Sequence, residues 1–282
     1  MQITVSNSIL SAVIDTKGAE LKQLLKGNQN YIWEIDTQYW DKTSPVLFPI
    51  VGRLKEDKYT INNKEYSLLR HGFARNFNFE MVNHSENQVV FRLSENEETL
   101  KVYPFQFELE MKYILIENTL TIQYSVKNNS ETSMPFSIGA HPAFALDTNL
   151  EAYALVFDQE DSLIRHKLKN DYFSGDTSEI LLQDHQLHLS DELFEKDAIV
   201  LKSFQSKEMT LLKNQVPYLS FQLEGFPHLG IWKKANAPFL CIEPWQGFAD
   251  HCDDSGEIFQ KEGIIVLPPN EVFTTSFSIT IL

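Results

Sequence analysis

Two cysteines, Cys241 and Cys252, are all that the 282 residues contain. That is too few for a disulfide framework, and they do not form a CxxC metal clip. The expectation is two reduced thiols in a cytoplasmic protein. Basic residues are scarce as well, with 24 Lys and Arg against 39 Asp and Glu and a formal charge of −15. A field of that sign repels phosphate backbones, so no nucleic-acid partner is expected. A neutral ligand is indifferent to the charge, whereas a phosphorylated one needs a local basic pocket. No apolar run approaches the ~20 residues of a membrane span. The first residues, Met1-Gln2-Ile3-Thr4-Val5-Ser6, have neither the basic nor the apolar part of a leader, so no membrane partner is expected either. Helical periodicity is missing too: only Ser190-Asp191-Glu192-Leu193-Phe194 looks like the start of a short turn.

Period-two alternation is what the chain does have. Leu109, Met111, Tyr113 and Leu115 share one face of a segment whose other face carries Glu108, Glu110 and Lys112. Leu120, Ile122, Tyr124 and Val126 repeat the pattern after Glu117-Asn118, which predicts a hairpin closed by Asn128-Asn129-Ser130. Shorter alternations run through Val89, Phe91 and Leu93, and through Phe273, Thr275, Phe277, Ile279 and Ile281 at the C-terminus. Tyr59-Thr60-Ile61, Asn62-Asn63 and Lys64-Glu65-Tyr66 read as a tight hairpin. Hydrophobic residues at 43%, including 20 Phe, can fill a large core. No linker or repeat interrupts the chain, so residues 1–282 are expected to form a single all-β domain, an antiparallel sandwich or barrel.

Four segments place ionisable residues among apolar and small ones: Ser44 to Arg53, Arg70 to Arg75, Ile138 to Phe144 and Cys241 to Gln246. Glu243 follows the strand-like run Pro238-Phe239-Leu240-Cys241-Ile242, which Pro244 is expected to end, and sits beside Trp245. Partial desolvation there raises the basicity of a carboxylate. His141 follows Gly139, which permits a close backbone approach, and precedes Pro142, which fixes the exit. A His and a Glu in such settings can move protons in both directions at neutral pH. His71, between Arg70 and Gly72, is a cramped polar position, and Arg53 ends an almost wholly apolar run, where a buried guanidinium needs an acceptor such as a ligand oxygen. Each also has an ordinary structural reading as a core histidine, an edge glutamate or a paired arginine. Other chemistries find less. Asp250-His251-Cys252-Asp253-Asp254 with Glu257 does not have calcium-loop spacing, and His185 and His188 lack a third ligand, so both read as solvated loops. There is no GxSxG, P-loop or GxGxxG.

Taken in order, these segments resemble the aldose 1-epimerase (galactose mutarotase) family across essentially the whole chain. Gly52-Arg53 resembles its GR segment, His71-Gly72 its HG motif, Gly139-Ala140-His141-Pro142-Ala143-Phe144 its second histidine motif, and Leu240-Cys241-Ile242-Glu243-Pro244-Trp245 its late glutamate motif. The resemblance implies a large antiparallel β-sandwich with a sugar site in a cleft on one sheet and no metal or organic cofactor. It implies Glu243 as general base, His141 as general acid, and His71 and Arg53 as sugar-binding residues. Asp197 is the candidate for the family's aspartate, and Trp245, Phe73 or Trp232 could stack on the sugar's C–H face. Leu54-Lys55-Glu56 stands where the family has an asparagine after the GR segment, which places the chain near a divergent branch associated with lactose-utilisation genes.

The implied reaction is anomer interconversion of a hexopyranose, by a monomer or homodimer. A free sugar in a shallow cleft is expected, because no dense basic cluster surrounds the motifs. A hexose-6-phosphate epimerase would need cations at the cleft, for which Arg75, Lys55, Lys233 and Lys234 are available. A non-catalytic carbohydrate-binding protein is the alternative of another class. A glycoside hydrolase would need a second catalytic carboxylate beside Glu243.

Overall fold

The strictest alternation in the chain becomes a hairpin of two ten-residue strands, Phe107–Ile116 and Thr119–Asn128, in the computed structural model, which describes residues 1–282. Leu109, Met111, Tyr113 and Leu115 meet Val126, Tyr124, Ile122 and Leu120 across the ladder, and all eight are buried. Burying each such side chain stabilises the fold by about 1.5–3 kcal/mol before the entropy of ordering it. Glu108, Glu110 and Lys112 project to the other face and stay partly exposed. Strands Gln88–Ser94 and Val272–Ile281 flank the hairpin, and the sheet grows to nine antiparallel strands. The tight hairpin of Lys58–Ile61 and Lys64–Ser67 turns through Asn62 (φ 50°) and Asn63 (φ 64°). Two successive left-handed residues make a type I′ turn, whose twist matches its strands.

A second sheet runs in the order Ile199–Leu201, His228–Trp232, Phe239–Gln246, Ile138–Ala140 and Val46–Leu47, with Ala143–Ala145 also pairing to the central strand. Its inner face contributes Ile231, Leu240, Ile242 and Ile138 to the core it shares with the nine-stranded sheet. This is the expected all-β antiparallel sandwich. A four-stranded sheet from the first thirty residues packs into the same core through Leu10, Ile14, Leu21 and Leu24.

Two local expectations fail. Pro244 does not end its strand, which continues to Gln246. The neighbouring strand is interrupted at His141-Pro142, between Ile138–Ala140 and Ala143–Ala145, so a residue without an N–H is tolerated in mid-sheet. One α-helix, Glu97–Val102, was not foreseen; Asn96 caps it in a reciprocal capping box with Thr99. No helix is long and apolar enough to cross a membrane.

Candidate active site

The central strand Phe239–Gln246 is buried on both faces up to Trp245. Leu240 and Ile242 point into the main core, so by alternation Phe239, Cys241, Glu243 and Trp245 point the other way. On one side Gly139 pairs with Trp245 and Ala143 with Cys241. The register is continuous across the interruption and sets His141 opposite Glu243. His141 Nε2 lies 3.2 Å from Glu243 Oε2, with both side chains nearly inaccessible, and His141 Nδ1 has no hydrogen-bond partner. On the other side Glu243 pairs with Gly230. A Cβ on Gly230 would stand 2.5 Å from Trp245 Cζ2, and one on Gly139 would stand 2.7 Å from Trp245 Cδ1. The two glycines therefore make the bed in which the indole lies, and this is the close approach that Gly139 was expected to permit.

The strand opens onto a cavity of about 320 Å³, at the lower end of the roughly 300–1,000 Å³ range of small-molecule sites. His71 reaches it from a left-handed backbone position, φ 67°. Gly52 clamps it twice: the His71 N–H donates to the Gly52 carbonyl at 2.7 Å, and the Gly52 N–H donates to His71 Nδ1 at 3.1 Å. Arg70 Nε approaches the other ring nitrogen at 3.2 Å. A neutral imidazole accepts at only one nitrogen, so the ring can satisfy only one of these two donors. Donors at both nitrogens leave no favourable place for a second proton. Burial, and then Arg70, push the His71 pKa well below its ordinary value.

Burial also dominates the central pair. It drives His141 down to about 3, helped by Arg70. It drives the Glu243 carboxyl well above its usual range, against Arg70 and the nearby Trp245 indole, which pull it down. The indole N–H stands near the carboxyl without making a hydrogen bond. Both shifts favour uncharged forms, so the two groups titrate as a coupled pair. An aromatic wall surrounds it. Trp40 lies 4.9 Å from the His141 ring at 30°, while Trp232 and His71 meet that ring edge-on at 5.7 and 5.8 Å.

Of the residues singled out in the sequence, Glu243, His141, His71, Asp197 and Trp245 line this one cavity. Asp197 sits at φ 93° with its carboxyl accepting the Ala198 N–H, and its charge adds to the rise at Glu243. Arg53 does not line the cavity. The turn through Lys55–Asp57 brings Asp57 back to it, with contacts of 2.8 and 2.9 Å, and Asp171 takes its remaining end at 3.3 Å. Asp171 also binds Arg70 at 3.0 Å, and Arg70 and Arg75 are the arginines that line the cavity. Phe73 belongs to the main core beside Phe48 and Tyr103, whereas Trp232 lines the cavity. Trp40 and Tyr39 were missed; two adjacent aromatics in the polar stretch Asp36 to Lys42 were the available signal.

The acidic loop is not all solvated. Asp250 is buried, pairs with Lys261 at 2.7 Å and accepts the Lys55 N–H. His185 is an exposed turn residue, as expected, whereas His188, exposed as well, ends the strand Gln186–His188 and is not loop. The thiols Cys241 and Cys252 are both free. Cys241 brings a third metal-binding group to the pair, with ligand atoms of His141, Cys241 and Glu243 within 4.8 Å of one another. Ligation needs a thiolate and a carboxylate, and burial pushes both groups towards their protonated forms.

A family model described as aldose 1-epimerase matches residues 1–266. The plasmid-encoded protein LacX of Lactococcus lactis subsp. lactis is 31% identical over the whole of both chains. A galactose mutarotase related enzyme from Lactobacillus acidophilus superposes with a TM-score of 0.95 at 35% identity, covering 100% of this chain and 97% of the other. A galactose mutarotase-like protein from Lactobacillus casei ATCC 334 gives 0.95 at 28% identity, covering all of both chains.

Proposed function

This chain belongs to the aldose 1-epimerase family, and on that premise we propose that it interconverts the α and β anomers of a hexopyranose by acid/base opening and reclosure of the ring between Glu243 and His141. The observation that carries this reading is the buried 3.2 Å contact between His141 Nε2 and Glu243 Oε2. The two groups share one proton on the wall of a cavity of monosaccharide size.

Ring opening removes the proton from the anomeric hydroxyl and delivers one to the ring oxygen as the C1–O5 bond breaks and the C1 aldehyde forms. Glu243 takes the first proton and His141 supplies the second. Rotation about C1–C2 presents the other face of the aldehyde. On reclosure Glu243 returns its proton to the carbonyl oxygen while His141 recovers one from the O5 hydroxyl. The pair thus enters and leaves with the same proton count, which suits groups held in a dry site. Arg70 lowers the Glu243 pKa and so favours the form in which the carboxyl is the base. The clamped, uncharged His71, with Asp197, orients sugar hydroxyls, and Trp40, Trp232 and Trp245 offer faces for the C–H surface. Arg53 acts indirectly, by anchoring the Asp171 that holds Arg70.

Glu243→Gln is expected to keep the fold and sugar binding while lowering catalysed mutarotation by ~10²-fold or more, read by polarimetry and calorimetric titration. Near-normal turnover in that variant would remove the assignment. A wild-type protein that binds sugar while mutarotation proceeds at its spontaneous rate would instead be a carbohydrate-binding protein on the same fold. Because one shared proton is the proposed working state, the wild-type rate should pass through a plateau. It should fall on the acid side only near the His141 value of about 3, and on the alkaline side where the pair loses its proton. An acid limb near the ordinary histidine range would contradict the pairing.

A further inference from the structure

In a chain of net charge −15, four cations line the cavity: Lys42, Arg70, Arg75 and Lys234. They come from three separate segments, which is why no basic cluster stands out in the sequence. The lining carboxyls are Asp171, Asp197 and Glu243. Burial disfavours charge on the Glu243 carboxyl, and Asp171 is divided between Arg70 and Arg53. Lys42 pairs with Asp41, itself 68% exposed, at 3.4 Å, and an ion pair that wet contributes little. Lys234 and Arg75 have no carboxylate within ion-pair distance. An exposed lysine without a partner is ordinary surface, but Arg75 is different. It is only partly exposed, and its guanidinium donates to the Arg70 carbonyl oxygen at 2.6 Å. Desolvation and Arg70 disfavour its charge, Asp41 and Glu20 offset this only from beyond ion-pair distance, and an anion at the guanidinium would relieve the remaining cost. The other two basic candidates are committed elsewhere: Lys55 donates to the Asp254 carbonyl, and Lys233 is buried against Asp191.

We propose that the substrate is a hexose carrying a phosphate monoester away from C1, with the phosphate held by Arg75 together with Lys42 and Lys234. This rests on the mutarotase reading of Glu243 and His141, because the anomeric hydroxyl must be free for the ring to open, which excludes a sugar 1-phosphate as substrate. A dianionic phosphate offers three oxygens to cations arriving from several directions, and a planar guanidinium fork grips two of them at once. A uronate carries one charge on two oxygens and uses fewer of these groups.

The test is anomer exchange by NMR with glucose, galactose, their 6-phosphates and galacturonate, on the full chain. The wild type is expected to prefer the 6-phosphates over the free sugars in kcat/KM by on the order of tenfold to a hundredfold. That ratio should shrink as salt is raised, fall towards one in Arg75→Gln, and fall by a smaller factor in Lys234→Gln. Equal efficiency with free and phosphorylated sugars would overturn the inference and leave the mutarotase reading standing. Phosphosugar binding that depends on Arg75 and Lys234, without any catalysed exchange, would overturn the mutarotase reading and keep the anion site. A preference for galacturonate over the 6-phosphates would overturn phosphate as the anion. If Arg75→Gln fails to fold, Lys234→Gln and the wild-type salt series decide, and a salt-independent ratio unchanged in Lys234→Gln would sink the proposal.

Discussion

The hairpin Phe107–Ile116/Thr119–Asn128 and the strand Phe239–Gln246 are both central strands of large sheets, yet they are built on opposite plans. The hairpin buries one face and leaves the other partly wet, so its side chains alternate cleanly. The second strand is buried on both faces, one against the core and the other against a cavity, and its burial pattern does not alternate. Water reaches Glu108, Glu110 and Lys112 on the hairpin's open face. Its near-absence around Glu243 and His141 works against charge on either group. The hairpin holds the fold and the second strand carries the proposed chemistry, a separation that substitutions can test.

The largest effect expected is on the hairpin side. Leu109→Ala removes a fully buried side chain and should cost about 2–5 kcal/mol in a denaturant melt. Turnover per folded molecule should stay close to that of the wild type, because Leu109 contacts the shared core and not the cavity. A large loss of turnover in the folded fraction would mean that the two regions are coupled. Gly230→Ala makes the opposite test at a smaller stability cost. Its methyl would meet the Trp245 indole at 2.5 Å, so overpacking should cost about 1–3 kcal/mol. Here activity should fall with stability, since the displaced indole lies along Glu243 and Trp245 lines the cavity. Tryptophan fluorescence should report the shifted ring, and unchanged emission with normal turnover would dissolve the role given to the glycine bed.

The same contrast sets how much could be read from the sequence. The hairpin was legible because half-burial writes itself as period two: each residue's environment is given by its neighbours in the chain. The site was legible only in part. Glu243, His141, His71, Asp197 and Trp245 stand in segments whose composition, or whose family resemblance, marks them. That Arg53 stays out of the cavity was not legible, because it depends on Asp57 folding back onto it and on Asp171, 118 positions away, bridging it to Arg70. Trp40 was missed for a similar reason, since its contact with His141 joins residues 101 positions apart. Pro244 looked like a strand end because its tolerance depends on a gap in the neighbouring strand at His141-Pro142.

The pH dependence of stability carries the comparison into thermodynamics. Glu243 has its folded pKa raised above the ordinary 4.5. The stability it contributes is therefore full below 4.5 and is lost as pH rises towards the folded value, since the unfolded chain releases a proton that the native state keeps. Within that window Glu243→Gln should gain on the wild type by about 1.4 kcal/mol per pH unit. His141 has the opposite sign. Its folded pKa lies below the ordinary 6.5, so its contribution is present above 6.5 and is lost as pH falls towards about 3. The difference between wild type and His141→Asn should follow that window. A flat difference curve for Glu243→Gln would mean that the carboxyl is solvated after all.

The smallest effect expected is from chelation. His141, Cys241 and Glu243 bring a nitrogen, a sulfur and an oxygen within 4.8 Å of one another, a donor set that suits zinc. Two features oppose a resident ion. Burial and the neighbouring Glu243 raise the Cys241 thiol pKa well above its ordinary value, so a metal would have to displace a tightly held proton. The cavity is also lined by four cations, whose field repels a divalent ion and raises the cost of bringing one in. The proposed proton transfer uses His141 Nε2 and Glu243 Oε2 themselves, and a metal bound to both would block it. Exhaustive treatment with EDTA should therefore leave mutarotation unchanged, and added zinc should inhibit if it acts at all. Activity lost to EDTA and restored by zinc in the wild type, but not in Cys241→Ser, would make this trio a ligand set and would require a different mechanism from the shared proton.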